Sequence, residues 1–292
     1  MNLLISLGVG LLTLGTPGDA RVHAGVHYGP GARERMDVYA PRRTEPHTPV
    51  VVFFYGGSWQ SGDRSLYQFV GRSLASRGIV AVIPDYRLYP EVRYPEFLRD
   101  GASAVAYARL HARDWGGDPD RLFLAGHSAG AYNAMMLATD KRWLGEVGLV
   151  PNHDVAGVIG LAGPYDFLPL RDPILKTIFG PPDTLPATQP IHHLDGATPP
   201  MRLLAGDGDT VVDPGNSTRM AAAVNGQGGA AQVKIYAGLG HISLLTAISG
   251  PFRRRAPVLD DMVSFVRGGA PSISAAVRPT RSPIADTIGA TP

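Results

Sequence analysis

Short apolar runs alternate along the chain with longer segments that have the periodicity of helices. This alternation is typical of β-α-β units, in which successive strands lie parallel in one sheet. Because the runs are apolar at nearly every position, we expect helices to cover both faces of the sheet. The sequence therefore predicts an α/β protein with a mostly parallel central sheet. The clearest strands are Pro49 to Tyr55, Gly78 to Ile83, Arg121 to Ala125, Val155 to Leu161, Met201 to Ala205 and Gln232 to Tyr236.

Three parts of the chain interrupt this pattern. Residues 163–200 are rich in Pro with scattered apolar residues, and we interpret them as an insertion over one end of the sheet, where substrate selectivity usually resides. Residues 268–292 have no aromatic residue and predict a disordered tail. Residues 1–20 contain an apolar run too short to span a bilayer as a helix. The main domain is then residues 21–267.

The apolar run of residues 1–20 allows two interpretations. It loosely resembles a signal peptide but lacks basic residues before the apolar stretch, since the first arginine is Arg21. It can equally be a segment packed on the body of the domain. The sequence therefore leaves both a cytoplasmic and an exported location open.

Composition excludes several classes of function. At 292 residues, of which 44% are hydrophobic, the chain can bury one large core. The net charge is only +2, which gives no electrostatic sign of nucleic-acid binding. The chain has no cysteine, so disulfides, thiolate nucleophiles, iron–sulfur clusters and cysteine-ligated zinc are all excluded.

The pentapeptide Gly126-His127-Ser128-Ala129-Gly130 has the form G-x-S-x-G. It follows the apolar run 122–125 and opens the helical segment 131–138, which is the strand-turn-helix context of a nucleophile elbow. Small residues let the tight turn form and expose the serine hydroxyl above the sheet. The sequence therefore predicts an α/β-hydrolase fold with Ser128 as its nucleophile.

A serine nucleophile needs a base that is itself oriented by an acid, and in this fold the order along the chain is Ser, acid, His. His241 lies in a Gly-rich loop after the last strand, where it shares the carboxyl edge of the sheet with Ser128. Asp207, Asp209 and Asp213 all follow the strand that ends at Ala205. Asp213 precedes a Pro and is expected to cap a helix. Asp207 is expected to brace the turn through backbone amides.

The segment Tyr55-Gly56-Gly57-Ser58-Trp59 follows a strand at the position where this fold supplies part of its oxyanion hole. Glycine there lets the backbone approach the substrate oxygen closely. We expect the amides of Gly57, Ser58 and Ala129 to stabilise the tetrahedral intermediate.

The remaining histidines offer no second catalytic site. His127 precedes the acid candidates and is expected to be a pocket or packing residue. His192 and His193 are adjacent, but no carboxylate or further histidine stands at ligand spacing, so no metal is expected.

Four motifs together resemble a known family. Besides the two glycine motifs above they are Asp85-Tyr86-Arg87-Leu88 and Gly206-Asp207-Gly208-Asp209. The set, within about residues 26–267, is similar to the hormone-sensitive-lipase-like esterases, and more closely to the bifunctional feruloyl and acetyl esterases, with arylformamidases as near relatives. One departure is Tyr55, where that family usually has His.

The resemblance has several implications. It implies Asp209 as the triad acid, no cofactor, and cleavage of a small-molecule acyl ester through an acyl-enzyme. Trp59, His127 and Tyr165 are the expected substrate-binding residues. The Asp85 to Arg87 segment and Asp100 are expected to be structural, with Arg87 fixing loops near the site.

Three functions are compatible with these residues. The first is a serine carboxylesterase for short to medium acyl esters. The second is an arylformamidase-type amidase that uses the same residues on an N-formylkynurenine-like substrate. The third is a non-catalytic binding protein of hydrolase fold, which would normally have lost a triad member. Dehalogenases and epoxide hydrolases would have Asp at position 128.

Overall fold

Eight strands form one sheet in the order β1-β2-β4-β3-β5-β6-β7-β8 in this computed structural model, which describes residues 20–268. β1 is antiparallel to β2, β2 is antiparallel to β4, and all other neighbours are parallel. The strands are β1 (Ala20–His27), β2 (Arg35–Pro41), β3 (Val50–Phe54), β4 (Val80–Pro84), β5 (Leu122–His127), β6 (Gly157–Leu161), β7 (Met201–Gly206) and β8 (Ala231–Tyr236).

The six predicted strands are confirmed as β3 to β8, and with them the mostly parallel sheet. Every residue of β3, β4, β5 and β6 is buried, so both faces of the central sheet are covered. In the parallel register Phe54 pairs with Gly126, and Gly126 pairs with Gly160. The carboxyl ends of β3, β5 and β6 therefore meet at one edge, which brings the loops that follow them together.

The two antiparallel strands were not predicted. β1 is mostly exposed and carries polar residues, so it lacks the apolar run by which the other strands were found. β2 is buried, but Asp37 interrupts its apolar pattern. This aspartate accepts hydrogen bonds from the backbone of Gly25 and the side chain of Arg64, which satisfies its carboxylate inside the fold.

Helices pack on the sheet in two groups. Helix α1 packs against β2, β4 and α9, whereas α2 packs against α3 and α4. The α-helices of the described residues are α1 (Gln68–Ala75), α2 (Glu96–His111), α3 (Ala129–Thr139), α4 (Lys141–Gly145), α5 (Pro151–Asp154), α6 (Pro173–Phe179), α7 (Gly215–Gly226), α8 (His241–Thr246) and α9 (Val258–Gly268). Short 3₁₀ helices cover Arg64–Tyr67, Ala112–Trp115, Pro119–Arg121, Pro182–Thr188, Pro190–His193 and Gly250–Phe252.

The Pro-rich segment 163–200 contains helix α6 and two 3₁₀ helices. Its Phe167 and Phe179 pack on Trp59, which follows the carboxyl end of β3. The carbonyl of Thr188 accepts a hydrogen bond from Tyr132 of α3 at 2.7 Å. The segment is therefore attached to the edge of the sheet where the parallel strands end.

The expected signal-like or packed segment and the expected tail fall almost entirely outside the described residues, with only Ala20 and Gly268 inside them. No helix within residues 20–268 is both long enough and apolar enough to cross a membrane.

Candidate active site

Ser128 lies on a sharp turn between β5 and α3. Its backbone has φ 56° and ψ −124°, a conformation that a residue with a side chain adopts only under strain. The Ser128 amide donates to the carbonyl of Leu161 at 2.9 Å, which ties the turn to the end of β6. The serine is 8% exposed, so the turn places it at the surface of the core rather than inside it.

The two glycines of the turn are required by backbone packing. A Cβ atom on Gly126 would lie 2.2 Å from the carbonyl oxygen of Gly130, and a Cβ on Gly130 would lie 2.1 Å from that of Phe54. Contacts of this length do not occur with real side chains. The start of α3 can therefore approach β3 and β5 only with glycine at these positions.

Asp209 and His241 are directly joined. Asp209 follows β7, His241 is the first residue of α8, and the Nδ1 atom of the histidine lies 2.7 Å from Oδ2 of the aspartate. The other carboxylate oxygen accepts the amides of Val211 at 2.8 Å and Val212 at 3.0 Å. Since both side chains are buried, the pair is held in a fixed orientation.

The neighbouring aspartates have the structural roles expected of them. The Oδ1 atom of Asp207 accepts the amide of Gly238 at 2.7 Å and so braces the loop that leads to His241. Asp213 accepts the amide of Gly215, the first residue of α7, at 2.9 Å. That hydrogen bond is the main reason why the pKa of Asp213 is lowered. Only Asp209 among the three contacts His241.

His127 connects the serine turn to His241. Its ring lies 4.6 Å from the His241 ring, centre to centre, and its Nε2 atom is 3.1 Å from the His241 carbonyl oxygen. Because a carbonyl can only accept, the proton of His127 belongs on Nε2. Burial, followed by the nearby His241, lowers the pKa of His127 from 6.5 to about 3, so this side chain is neutral near pH 7.

The hydroxyl of Ser128 makes no hydrogen bond with any of the described residues. The contact between the serine turn and His241 is made by His127, one residue before the serine. Catalytic hydrogen bonds are often long in a free enzyme and shorten when substrate binds.

The loop Tyr55–Gly62 lies against the serine. A Cβ atom on Gly56 would be 2.9 Å from the Ser128 Cβ. Gly57, Ser58 and Trp59 have φ values of 133°, 54° and 58°, three successive residues in the left-handed region. Within residues 20–268 the amides of Gly57, Ser58 and Ala129 donate no hydrogen bond, and their role as oxyanion donors stays a prediction.

Trp59 and Tyr165 are buried more deeply than expected of residues that bind substrate. Trp59 is 3% exposed and donates its indole N–H to Asn133 at 2.9 Å. Tyr165 is fully buried against β6, where its hydroxyl would be 1.9 Å from a Cβ on Gly160. Contact of either residue with substrate stays a prediction.

The predicted structural role of Arg87 and Asp100 fits their contacts. The guanidinium of Arg87 donates to both carboxylate oxygens of Asp100, and the Arg87 amide donates to Oδ2 at 2.8 Å. Asp100 is 2% exposed, so this pairing neutralises a buried charge where the segment after β4 meets α2.

Several residues around the site were not singled out from the sequence. Arg33 donates to the carbonyl of Gly62, and Arg64 donates to Asp85. The partners lie 29 and 21 residues apart in the chain, so no local motif reveals these contacts. Asn133 could have been noticed in the sequence, because it is a polar residue within the mostly apolar segment that forms α3. All residues of this helix are buried.

The histidines of the Pro-rich segment bind backbone. His192 contacts the carbonyl of Pro186 at 2.9 Å and His193 contacts that of Ala187 at 2.8 Å. In the part of the chain that the structure describes, no group of three or more histidines and carboxylates is arranged to hold a metal ion.

Comparison with known proteins agrees with this geometry. The model of the family BD-FAE matches residues 36–224, well over half of the chain. The chain belongs to the BD-FAE family. This confirms the resemblance seen in the four motifs. The α/β-hydrolase fold is also confirmed, since the carboxylesterase EstE1 from a metagenomic library superposes with a TM-score of 0.73 at 20% identity, over 92% of this chain and 96% of that one.

Relatives of this BD-FAE member include a methylesterase and a formamidase. The isoprenylcysteine alpha-carbonyl methylesterase ICME of Arabidopsis thaliana is 27% identical over 84% of this chain and 62% of its own length. The kynurenine formamidase of Salmo salar is 31% identical over 52% of this chain and 49% of its own length. The chain thus spans less than two thirds of each of these relatives.

The serine turn gives a first test of the packing. Gly130→Ala is expected to lower the free energy of unfolding by ~1–3 kcal/mol, since the new Cβ overlaps a backbone oxygen that cannot move aside. Gly145→Ala in α4 is the matched control, because a Cβ there meets no atom within 4 Å. Urea unfolding measures both variants. Equal stability of the two would contradict the packing argument.

The low pKa of His127 gives a second test. Between pH 6.5 and about 3, His127 is protonated in the unfolded chain but not in the folded chain. Protonation therefore favours unfolding, and the free energy of unfolding decreases as the pH falls through this range. In His127→Gln the free energy of unfolding should decrease less steeply with falling pH, by up to ~1.4 kcal/mol per pH unit. Gln227→Asn, at an exposed position without a titratable group, is the control and should keep the wild-type slope. Parallel curves for wild type and His127→Gln would refute the assignment.

Proposed function

We propose that this protein is a serine carboxylesterase that hydrolyses short to medium acyl esters through an acyl-enzyme. The observation that supports it best is the buried pair of His241 and Asp209, joined at 2.7 Å on the same sheet edge as the strained Ser128 turn. A non-catalytic binding protein would have no need to keep this pair together with a strained serine.

The orientation of His241 defines the proposed roles. A carboxylate oxygen can only accept a hydrogen bond, so the Nδ1 atom that faces Asp209 carries the proton. The lone pair of Nε2 is then free to act as a general base. The two amides that bind the other oxygen of Asp209 keep the carboxylate from turning away.

The reaction proceeds in two halves. Ser128 Oγ attacks the ester carbonyl while His241 Nε2 takes the hydroxyl proton, and the carbonyl electron pair moves onto the oxygen. This oxyanion is bound by the amides of Gly57, Ser58 and Ala129. Collapse of the intermediate breaks the bond to the alcohol, which leaves with the proton from His241. Water then attacks the acyl-enzyme by the same route and releases the acid.

An amidase of the arylformamidase kind is the second candidate. The similarity to a kynurenine formamidase favours it, and the same three residues would cleave an N-formyl bond. No cofactor or metal takes part in either proposal.

A hydrolysis panel tests the proposed function. p-Nitrophenyl esters from acetyl to palmitoyl, a feruloyl ester, acetylated xylan and N-formylkynurenine are compared for wild type and for Ser128→Ala. We expect acyl groups of about two to six carbons to be cleaved fastest, because the Pro-rich segment 163–200 is too short to build the extensive apolar lid that lipases use for long chains. Ser128→Ala should lose at least ~10² in kcat.

The outcomes of the panel separate the candidates. A preference for N-formylkynurenine would favour the amidase, and faster cleavage of palmitoyl than of butyryl esters would contradict the short-chain preference. Inhibition by EDTA would contradict the metal-free reaction. Ser128→Ala with more than a few per cent of wild-type turnover would place the nucleophile elsewhere.

The choice of acid is tested separately. Asp209→Asn should lower kcat at least ~10²-fold, since an amide in that position favours the wrong tautomer of His241. Asp207→Asn is the matched control and should act mainly on stability, because its hydrogen bond braces Gly238. Both variants are measured by steady-state kinetics after their fold has been confirmed. A larger loss of kcat in Asp207→Asn than in Asp209→Asn would assign the acid to Asp207.

A further inference from the structure

A buried polar network lies beneath the Tyr55–Gly62 loop. The hydroxyl of Tyr55 donates to Oδ1 of Asp85 at 2.8 Å and accepts a hydrogen bond from Arg33 at 2.6 Å. Tyr55 is fully buried and Asp85 is 2% exposed, so these bonds form away from water. Burial raises the pKa of Tyr55, and the hydroxyl therefore keeps the proton that it donates.

Both ends of the loop are attached to one guanidinium group. The Nη2 atom of Arg33 donates to the Tyr55 hydroxyl and also to the carbonyl of Gly62 at 2.8 Å. Gly62 has φ 122° and lies so close to Tyr55 that a Cβ there would be 2.5 Å from its ring. The contacts of Arg33 and Tyr55 thus fix both ends of the loop, at Tyr55 directly after β3 and at Gly62.

The carboxylate of Asp85 is held from a second side. Arg64 donates to it through its backbone amide at 2.8 Å and also through its guanidinium. The same arginine donates to Asp37 of β2 at 2.9 Å. The network therefore contains two partly exposed arginines and two buried aspartates, so its charges balance, and its several hydrogen bonds restrict the movement of the loop.

A count of hydrogen bonds explains which amides of the loop are left free. The carbonyl of Tyr55 accepts from the Tyr86 hydroxyl at 2.7 Å, and the amide of Gly56 donates to the Tyr67 hydroxyl at 3.3 Å. The carbonyl of Gly57 accepts two amides from further along the loop. The next three amides along the loop, those of Gly57, Ser58 and Trp59, donate no hydrogen bond within residues 20–268.

These amides are held by strained backbone. Positive φ is costly at the non-glycine residues Ser58 and Trp59, and such a conformation persists only where the surroundings impose it. Oxyanion donors lose much of their effect when they are displaced by a fraction of an ångström. We propose that Tyr55 is a positioning residue, which sets the amides of Gly57 and Ser58 through the network beneath the loop. This inference rests on the proposed function.

Tyr55→Phe tests it, because the change removes one hydroxyl and keeps the ring packing. We expect kcat for p-nitrophenyl butyrate to fall at least ~10-fold while KM changes less than about threefold, as for an interaction made in the transition state. Affinity for a butyryl trifluoromethyl ketone, whose serine adduct carries an oxyanion, should fall by the same factor as kcat/KM. Inhibition by butyramide, which forms no adduct, should be unchanged.

Tyr236→Phe is the matched control. Its hydroxyl also bonds an aspartate, Asp261 in α9, at 2.5 Å, but it lies outside the loop and its network. This variant should lose stability without losing kcat or inhibitor affinity. Arg33→Lys provides a second variant, since a lysine keeps the charge but cannot reproduce the forked contacts of the guanidinium. It should change kcat in the same direction as Tyr55→Phe.

The outcomes are distinct. If Tyr55→Phe and Arg33→Lys keep the wild-type kcat and inhibitor affinity while losing thermal stability, the network is only structural and the inference is wrong. If the wild type cleaves no member of the panel and does not bind the trifluoromethyl ketone, the proposed function fails and this inference with it. An active wild type with an unchanged Tyr55→Phe overturns the inference alone.

Discussion

The close approach of helix α3 to the end of β3 is the constraint on which the site depends. It exists because position 130 has no side chain, so that the helix can begin within contact of the Phe54 carbonyl. The same approach forces Ser128 into its left-handed conformation and brings the turn against Gly56 of the next loop. One tight contact between backbones therefore places the nucleophile and the candidate oxyanion amides beside each other.

His241 shares the site with a second histidine, which makes different contacts. His127 is buried beside it and neutral, and it binds the backbone carbonyl of His241 instead of competing for Asp209. Of the two histidines, only His241 binds the carboxylate, through its Nδ1 atom. A charged His127 in this position would repel the imidazolium that forms during the reaction, so its low pKa suits the proposed mechanism.

Sequence patterns predicted the parts of the molecule that depend on local order. The six parallel strands have continuous apolar runs, and the turn at Ser128 has a fixed spacing of small residues. Asp213 was expected to cap a helix because Pro214 follows it, and Asp207 was expected to brace the turn, whereas Asp209 was implied by the family resemblance. The contacts of Asp207 and Asp213 agree with the first two expectations.

What the patterns could not predict depends on contacts between distant parts of the chain. β1 was missed because an exposed antiparallel strand needs no apolar run. The bond from Arg33 to Gly62 joins residues that only the fold brings together, and the sequence shows each of them merely as a charged residue and a loop glycine. The position of Tyr55 was recognised as a departure from the family, but its bond to Asp85 appears only in three dimensions.

Trp59 connects the Tyr55–Gly62 loop to the Pro-rich segment, which is expected to determine substrate selectivity. Its ring packs edge-on against Phe179 with centres 4.7 Å apart, and its indole N–H binds Asn133 of α3. The loop is therefore held from below by the Tyr55 network and from the side by aromatic contacts with the Pro-rich segment. Because both supports act on the same strained backbone, changes in that segment can alter the position of the candidate oxyanion amides as well as the shape of the pocket. Under the proposed function, substitutions in the Pro-rich segment are therefore expected to change turnover as well as substrate preference, because the segment contacts the loop through Trp59.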